Sequence, residues 1–265
     1  MSKKKFAVLC SGGDGPGMNS AIRSVVRSAV ACDAEIYGVY KGYSGLLNQD
    51  IVKLDVSSVG NIIQRGGTVL YSSRCLEFKE AKYRKQAADY LKELGIDGLI
   101  VIGGNGSFMG ANLLHKEHGI AVACIPGTID NDISGTDVSI GFDTALGTAV
   151  EAIDKIRDTA TSHDRTFMVE VMGRSSGMIA ITVAIATGAE SVIFPDLTVD
   201  LESIAKTIKR GIARGKKSSI VIVGEGEKQG LSYDYQKILK DDYDVDTTIC
   251  ILGHTQRGGN PSPTD

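Results

Sequence analysis

Three glycine-rich segments stand where apolar, strand-like runs end, and each could bring backbone N–H groups close to a ligand. They cover residues 11–17, 103–107 and 126–132. Glycine permits a close backbone approach, and the free N–H groups at a helix start attract anions. The third segment also carries Asp130 and Asp132. These residue types indicate a nucleotide, a metal ion and a second substrate held together.

The first two segments match neither common nucleotide motif. A Walker A loop ends in Gly-Lys followed by Ser or Thr, whereas Gly17 is followed by Met18. The glycines at 13, 15 and 17 are one residue short of the G-x-G-x-x-G fingerprint, and those at 104, 106 and 110 are one residue too long. A single such segment is as consistent with a structural turn as with a ligand site, but two at neighbouring strand ends favour a site.

Asp130 and Asp132 lie two residues apart, directly after an apolar run. One carboxylate could accept the proton of an attacking hydroxyl while the other supports a magnesium ion. Aspartate also occurs in turns because it bonds its own backbone. We favour the site over the turn.

Cationic residues in loop-like segments form a third group. Guanidinium groups match the geometry of phosphate, although the alternative for any single arginine is a solvated surface position. Glu225 follows another apolar run, where it could bond a sugar hydroxyl or cap the next turn. The cationic residues are Arg165, Arg174, His254 and Arg257.

The composition narrows the class of protein. The chain has 265 residues, of which 29 are basic and 32 acidic, so its net charge is −3. We therefore predict no general affinity for nucleic acid or for an anionic membrane. The five cysteines are widely spaced, which favours a reduced, cytoplasmic setting over disulfides or a zinc site. Cys10 and Cys124 lie in strand-like runs, and we expect both to be buried.

Strand and helix patterns alternate along the chain, which predicts parallel sheets with helices on both faces. In such sheets, ligands bind at the carboxyl ends of the strands. The predicted strands are 6–10, 35–39, 98–102, 121–125, 166–171, 191–194 and 219–223. The predicted helices are 18–32, 81–94, 108–116, 144–161, 178–187 and 201–214.

Taken together, the motifs resemble the bacterial-type ATP-dependent 6-phosphofructokinase family, from about Phe6 to the last residue. They are Ser-Gly-Gly-Asp-x-Pro-Gly-Met-Asn (11–19), Gly-Gly-x-Gly-Ser (103–107), Pro-Gly-Thr-Ile-Asp-Asn-Asp (126–132), Gly-Phe-Asp-Thr-Ala (141–145), Met-Gly-Arg (172–174) and Leu-Gly-His-x-Gln-Arg-Gly-Gly (252–259). The resemblance implies phosphoryl transfer from MgATP to the 1-hydroxyl of fructose 6-phosphate, a step of glycolysis. Gly106 and Gly127 are of the family's ATP-using type rather than its pyrophosphate-using type.

The resemblance also implies a role for each matching residue. Asp130 would be the base, with Gly13, Thr128 and Asp132 beside it, and Arg174 would stabilise the transferred charge. The implied ATP ligands are Gly13, Arg74, Cys75, Gly104, Asn105, Gly106 and Ser107, with Mg²⁺ at Asn105 and Asp132. The implied sugar-phosphate ligands are Thr128, Ile129, Asp130, Arg165, Met172, Gly173, Arg174, Glu225, Thr248, His254, Thr255, Gln256 and Arg257.

The same resemblance implies the organisation of the fold and the assembly. Two similar three-layer α/β/α domains with mostly parallel sheets would place the active site in the cleft between them. An ATP domain would cover 1–138, a fructose 6-phosphate domain 139–252, and 253–265 would return to the first. A homotetramer with shared sugar-phosphate sites is implied, together with a site for nucleotide or phosphoenolpyruvate effectors. Its residues would be Arg23, Arg27, Arg157, Glu190, Arg214, Lys216 and Lys217.

Three departures from the family pattern support a rival hypothesis. Asn105 stands where the family has Asp, Thr248 stands where it has an Arg, and the sequence ends at Asp265, where family members continue. The rival is a weakened or inactive paralogue that binds nucleotide or sugar phosphate as a regulatory partner. Intact Asp130, Asp132 and Arg174 favour the enzyme. A different kinase with the same glycine architecture is disfavoured by the complete motif set.

Overall fold

The structure is a computed structural model that describes residues 3–195 and 198–265. The chain forms two compact units, Met1–Gly141 with Arg257–Asp265 and Phe142–Gln256. The predicted limits were 138 and 252, and both observed limits lie further along the chain. The first coincides with the start of a long helix at Phe142, and the second falls within the 3₁₀ turn Gly253–Arg257.

The first unit is built on a five-stranded sheet in the order β3-β2-β1-β4-β5. All neighbouring pairs are parallel except β2 and β3. The five strands are β1 (Lys5–Ser11), β2 (Glu35–Val39), β3 (Ile51–Leu54), β4 (Gly98–Gly103) and β5 (Ala121–Pro126).

Helices cover both faces of this sheet, so the first unit has two apolar cores. Their ranges are α1 (Met18–Ala31), α2 (Gly42–Leu47), α3 (Ala81–Glu93) and α4 (Asn105–His118). On one face α1 places Ile22 and Val26 against the strands. On the other face α2, α3 and α4 bury Leu46, Leu91 and Leu114. The apolar spacing on each helix therefore directs it to a single face.

The second unit is built on a parallel four-stranded sheet in the order β7-β8-β6-β9. Every residue of β6 and β8 is buried, as expected for central strands covered on both faces. The strands are β6 (Thr166–Val171), β7 (Ser191–Ile193), β8 (Ser219–Gly224) and β9 (Thr248–Ile251), and the helices are α5 (Phe142–Ser162), α6 (Met178–Thr187), α7 (Leu201–Ala213) and α8 (Leu231–Tyr243). The predicted α/β class with mostly parallel sheets is confirmed.

Several local predictions were incomplete. Four elements in the described part of the chain, α2, β3, α8 and β9, were not predicted. They are short, glycine-containing or largely polar, so their apolar period is weak. Cys124 is exposed rather than buried, because β5 is the outermost strand of its sheet. None of the helices in the described residues has the length and apolar character to span a bilayer.

A buried arginine ties three parts of the first unit together. Arg84 on α3 is 5% exposed, and its Nε and Nη2 donate to the carboxylate of Glu117, each at 2.7 Å. Its Nη1 donates to the carbonyl oxygens of Phe78 and Lys79 at 2.9 and 2.7 Å. Arg84 therefore joins α3 to α4 and to the segment before α3. It also holds the pKa of Glu117 below its ordinary value.

We predict that Arg84→Met destabilises the protein by about 1–3 kcal/mol, because two carbonyl groups lose their donor. Urea unfolding at pH 7 measures the loss of unfolding free energy.

The same ion pair makes this loss depend on pH, because the pKa of Glu117 is lower in the folded protein than in the unfolded chain. The ion pair stabilises the fold at any pH above the unfolded pKa of Glu117. This stabilisation disappears as the pH falls through the lower, folded pKa. The difference between variant and parent should therefore shrink in acid. Lys85→Met, which removes an exposed ion pair with Asp89, is the matched control and should leave stability nearly unchanged. Equal losses in the two variants would contradict the prediction.

Candidate active site

The three glycine-rich segments meet at one edge of the first sheet. In the strand register, Ser11 lies opposite Gly103, and Gly103 lies opposite Pro126. The parallel strands β1, β4 and β5 therefore end in line. Gly127 N also donates to the carbonyl of Gly103 at 3.0 Å, so the alignment continues beyond the strands. The prediction that these segments share one site is consistent with this register.

The second segment is a helix start rather than a loop. We predicted a turn over 103–107 and a helix from 108, but α4 begins at Asn105. Gly104 precedes the helix, and its carbonyl accepts from the N–H groups of Ser107 and Phe108 at 3.0 and 3.1 Å. The first N–H groups of a helix lack intrahelical acceptors and carry partial positive charge. Asn105 and Gly106 are exposed, so this helix end is open to an anion.

The third segment is held in place by its own polar groups. Thr128 Oγ1 accepts from the Asp130 N–H at 3.2 Å, and the Thr128 carbonyl accepts from Ser139 Oγ at 2.7 Å. Asn131 has a φ of 48°, and its Oδ1 accepts from Ser139 N at 2.8 Å. These bonds define the backbone that presents Asp130, which is half-buried, and Asp132, which is exposed. Ile129, which lies between Thr128 and Asp130 in the sequence, is buried.

Asn105 connects the second segment to the third. Its Nδ2 donates to the carbonyl of Asp132 at 3.1 Å, an interaction that an aspartate at this position could not make. The amide oxygen is then the remaining polar atom of the Asn105 side chain. Asn105 therefore serves as a backbone tie as well as a candidate ligand.

The first segment packs against Arg257. The guanidinium Nη1 lies 3.5 Å from Asp14 Oδ1, and a Cβ at position 13 would lie 2.7 Å from Nη2. Any side chain at position 13 would therefore clash with the guanidinium group in this position, and glycine leaves the space for it. Arg257, which the resemblance assigns to the sugar phosphate, belongs to the first unit and lies at its glycine edge.

Arg74 and Cys75 reach this edge through the preceding serines. Ser72 Oγ donates to the Gly12 carbonyl, and Ser73 Oγ donates to the Lys41 carbonyl at 2.9 Å. Arg74 is exposed and Cys75 is half-buried. Burial raises the pKa of the Cys75 thiol above its ordinary value, so it stays protonated at neutral pH.

The donor set at this edge suits a magnesium ion bound mainly by phosphate. In residues 3–195 and 198–265, no group of three His, Cys, Asp or Glu side chains could enclose a metal. Magnesium, however, is commonly held by one or two carboxylates together with substrate phosphates and water. Asp132 and the amide oxygen of Asn105 fit that mode, with one negative charge fewer than a pair of carboxylates would supply.

The second unit brings together three of its predicted segments at the carboxyl edge of β6. Met172 N donates to Gln256 Oε1 at 2.9 Å, and Glu225 N donates to the Val171 carbonyl at 2.8 Å. Gly173 has a φ of 140° and Arg174 a φ of 50°, so the Met-Gly-Arg turn is held in a conformation that favours glycine. Met172, Glu225 and Gln256 are buried, whereas Arg174, His254 and Thr255 are exposed.

Two predicted ligands lie elsewhere in the second unit. Arg165 directly precedes β6, and Thr248 begins β9, where it pairs in register with Phe167. Both residues therefore stand at the amino edge of this sheet, opposite the edge that carries Met172 and Glu225. Within the second unit, the structure does not bring Arg165 and Thr248 to the other predicted sugar-phosphate ligands.

The predicted effector residues are divided between the units. Arg23 and Arg27 lie on α1, and the other five belong to the second unit. Arg157 Nη2 donates to the Thr187 carbonyl at 2.5 Å, and Lys216 pairs with Glu190. Arg214 and Lys217 are exposed. An effector site at these residues stays a prediction.

Sequence reasoning did not identify Glu170, Ser139 or Tyr43. Glu170 is a buried carboxylate in β6, and its signal in the sequence is an acidic residue inside an apolar run. Ser139 bonds the loop that presents Asp130. Tyr43 donates from its hydroxyl to the Ser107 carbonyl at 2.6 Å, a contact across 64 residues that no local pattern reveals.

Comparison with known proteins gives matches along almost the whole chain. The phosphofructokinase family matches residues 5–265. The ATP-dependent 6-phosphofructokinase of Bacillus subtilis is 54% identical over 262 residues, which are 99% of this chain and 81% of that protein. The enzyme of that name from Macrococcus caseolyticus is 58% identical over the same shares. The phosphofructokinase structure from Saccharomyces cerevisiae is similar with a TM-score of 0.91 at 36% identity, over 98% of this chain and 39% of that one.

Two neighbouring glycines at the end of β4 allow a test of how closely the strand ends are packed. A Cβ at position 103 would lie 2.5 Å from the Ser11 carbonyl oxygen, whereas one at 104 would meet only Thr128 Cβ at 3.7 Å. We predict that Gly103→Ala destabilises the protein by about 1–3 kcal/mol, as overpacking does. Gly104→Ala should change stability by less than about 0.5 kcal/mol. Urea unfolding of both variants measures the change in unfolding free energy. Similar values for the two would show that β1 and β4 do not pack as closely at Gly103 as described.

Proposed function

Because this chain belongs to the phosphofructokinase family, we propose that it transfers the terminal phosphoryl group of ATP to the 1-hydroxyl of fructose 6-phosphate. The observation that carries the proposal is the common strand edge of Ser11, Gly103 and Pro126. This edge places an open helix start next to a loop with two carboxylates. Such an arrangement offers an anion site beside a general base, which phosphoryl transfer requires.

We assign the nucleotide to the first unit. Its phosphates would meet the N–H groups at the start of α4, with Gly13, Arg74, Gly104 and Ser107 around them. Gly106 supports ATP because a side chain there would meet no atom within 4 Å, so the space beside the helix start is open. Gly127 supports the same choice, since a Cβ there would lie 3.1 Å from side-chain atoms of Ile102 and Met18, so a larger side chain would crowd both neighbours.

Magnesium would be held by Asp132 and the amide oxygen of Asn105 together with the nucleotide phosphates. When bound, it supplies positive charge that neutralises the phosphates as the reaction proceeds. The tie between Asn105 and the Asp132 carbonyl fixes the relative position of these two ligands.

Each residue has its own role in the proposed chemical step. Asp130 accepts the proton of the sugar 1-hydroxyl, and the hydroxyl oxygen forms a bond to the γ-phosphorus of ATP. The bond between the γ-phosphorus and the oxygen that bridges it to the β-phosphate breaks, and ADP departs. General-base assistance contributes about 10²–10⁴-fold. Arg174 stabilises the charge on the moving phosphoryl group. The bonds from Thr128 and Ser139 keep the Asp130 loop in one conformation, so little reorganisation is needed.

We assign the sugar phosphate to the second unit. Met172, Gly173 and Glu225 would hold the sugar, and His254 would contribute to the phosphate site. Arg257 belongs to the first unit, and its role toward the phosphate stays a prediction of the resemblance. Arg165 and Thr248 stand at the opposite edge of their sheet, which supports a role toward another copy of the chain in a homo-oligomer. The tetramer, the nucleotide or phosphoenolpyruvate effectors and the cytoplasmic location stay predictions.

The function is tested by a coupled assay with MgATP and fructose 6-phosphate, run beside calorimetric binding of each. We predict turnover for the parent chain, and a loss of about 10²–10⁴-fold in kcat for Asp130→Asn, with binding of both substrates retained. Asp137→Asn is the matched control, because Asp137 is exposed in the same loop and loses the same charge. Binding without turnover in the parent would select the regulatory paralogue, and equal kcat values for Asp130→Asn and the parent would remove Asp130 as the base.

Asn105→Asp tests the departure from the family at the metal position. We predict that it raises magnesium-dependent turnover, because a carboxylate is a better magnesium ligand than an amide. The lost bond to the Asp132 carbonyl should appear separately, as a small drop in thermal stability. Rates are measured over a magnesium titration, with peptide mapping to establish that residue 105 is intact in each sample. Equal rates at every magnesium concentration would show that Asn105 is no defect.

A further inference from the structure

Glu170 is a buried carboxylate without a role in the proposed chemistry. It lies in β6 and is 1% exposed. Its Oε1 accepts from Gly230 N at 2.6 Å, and its Oε2 accepts from Ser232 N at 3.0 Å and Ser232 Oγ at 2.6 Å. Burial of a carboxylate is costly unless hydrogen bonds compensate it. The three donors supply that compensation, and all of them belong to the start of α8.

Helix α8 depends on Glu170 for its cap. The residue before the helix is Gly230, with a φ of 100°, and no side chain at that position bonds the helix start. Helices more commonly carry their own cap in a Ser, Thr, Asp or Asn. Here a strand residue 60 positions away in sequence performs that role, and its negative charge faces the positive end of the helix.

The capped helix start is one end of the segment that carries Glu225. Residues 225–230 connect β8 to α8, and Glu225 N donates to the Val171 carbonyl at 2.8 Å. The segment is therefore fixed at both ends by adjacent residues of β6, Glu170 and Val171. The same segment also lies against the turn that carries His254, because a Cβ at Gly253 would be 2.9 Å from Gln229 Nε2.

We propose that Glu170 is a positioning residue for the sugar phosphate. Its carboxylate holds the segment 225–230 in register with the end of β6, so that Glu225 stands beside the Met172–Arg174 turn. Glu170 touches no substrate and acts through Gly230 and Ser232. The inference rests on the proposed function, which makes Glu225 a sugar ligand, and it adds a residue that the motifs do not include.

The variant Glu170→Gln tests this role. It keeps the shape of the side chain but places an amide NH₂ against N–H donors at the start of α8. We expect the KM for fructose 6-phosphate to rise by about tenfold while the KM for ATP stays within about twofold, since a hydrogen bond to a charged group is lost only in the second unit. The measurement is the coupled assay with each substrate varied in turn.

Leu239→Ala is the matched control for a general loosening of α8. Leu239 is fully buried on the same helix, so the variant lowers the unfolding temperature without touching the cap. We expect it to leave both KM values unchanged. A rise in the fructose 6-phosphate KM as large as that of Glu170→Gln, or no rise in Glu170→Gln, would overturn the proposal.

Two further measurements keep the test decisive. If Glu170→Gln does not fold, Ser232→Ala takes its place, because it removes one donor and leaves the carboxylate. It should raise the KM for fructose 6-phosphate about threefold, and an unchanged KM would overturn the proposal.

If the parent chain shows no turnover, the proposed function fails, and amide hydrogen exchange replaces the kinetic readout. Faster exchange over 226–230 in Glu170→Gln but not in Leu239→Ala would support the anchor, and equal exchange in both would overturn it.

Discussion

The in-register ending of three parallel strands is the constraint on which the first unit depends. Ser11, Gly103 and Pro126 occupy one row of the sheet, and β1, β4 and β5 each end at that row. Parallel strands carry their carboxyl ends on one side, so ligand groups converge there. A one-residue slip of β4 would move the start of α4 away from the Asp130 loop. Side chains of β4 pack into the apolar cores on both faces of the sheet, and this packing opposes such a slip.

Short backbone-directed hydrogen bonds convert this edge into a defined site. Asn105 bonds the Asp132 carbonyl, Ser139 bonds the Thr128 carbonyl, and Tyr43 bonds the Ser107 carbonyl. Each of these side chains donates a hydrogen bond to a backbone carbonyl at this edge, and each such bond holds one segment to another or to itself. These bonds restrain the loops although they contain many glycines.

The sequence could predict the central elements because their patterns are strong. β4 and β8 are continuous apolar runs, and α1 and α7 show clear apolar spacing, so their positions agree within a few residues. The start of α4 was placed too late because Asn105, Gly106 and Ser107 are poor helix formers, although the Gly104 carbonyl already accepts from Ser107 N and Phe108 N. Helix α8 was missed because its sequence is largely polar and because it has no local capping side chain; its cap, Glu170, is distant in sequence. The separation of Arg165 and Thr248 from the other predicted ligands of the second unit follows from their places at the amino ends of β6 and β9. The motifs assign roles without regard to which end of a strand a residue occupies.

The two units use strand ends in different ways, and the difference follows from what each would bind. In the first unit α4 starts two residues after β4 ends, which keeps the helix N–H groups at the edge, where a phosphate can reach them. In the second unit a longer segment, 225–230, separates β8 from α8. Recognition of sugar hydroxyls needs side chains such as Glu225 rather than a helix end, and a longer segment offers room to present them. That segment has more conformational freedom to lose, so it needs an anchor of its own. In our proposal the buried Glu170 provides this anchor from the neighbouring strand, and the three donors that it meets at the start of α8 offset the cost of an acidic residue in the interior of β6.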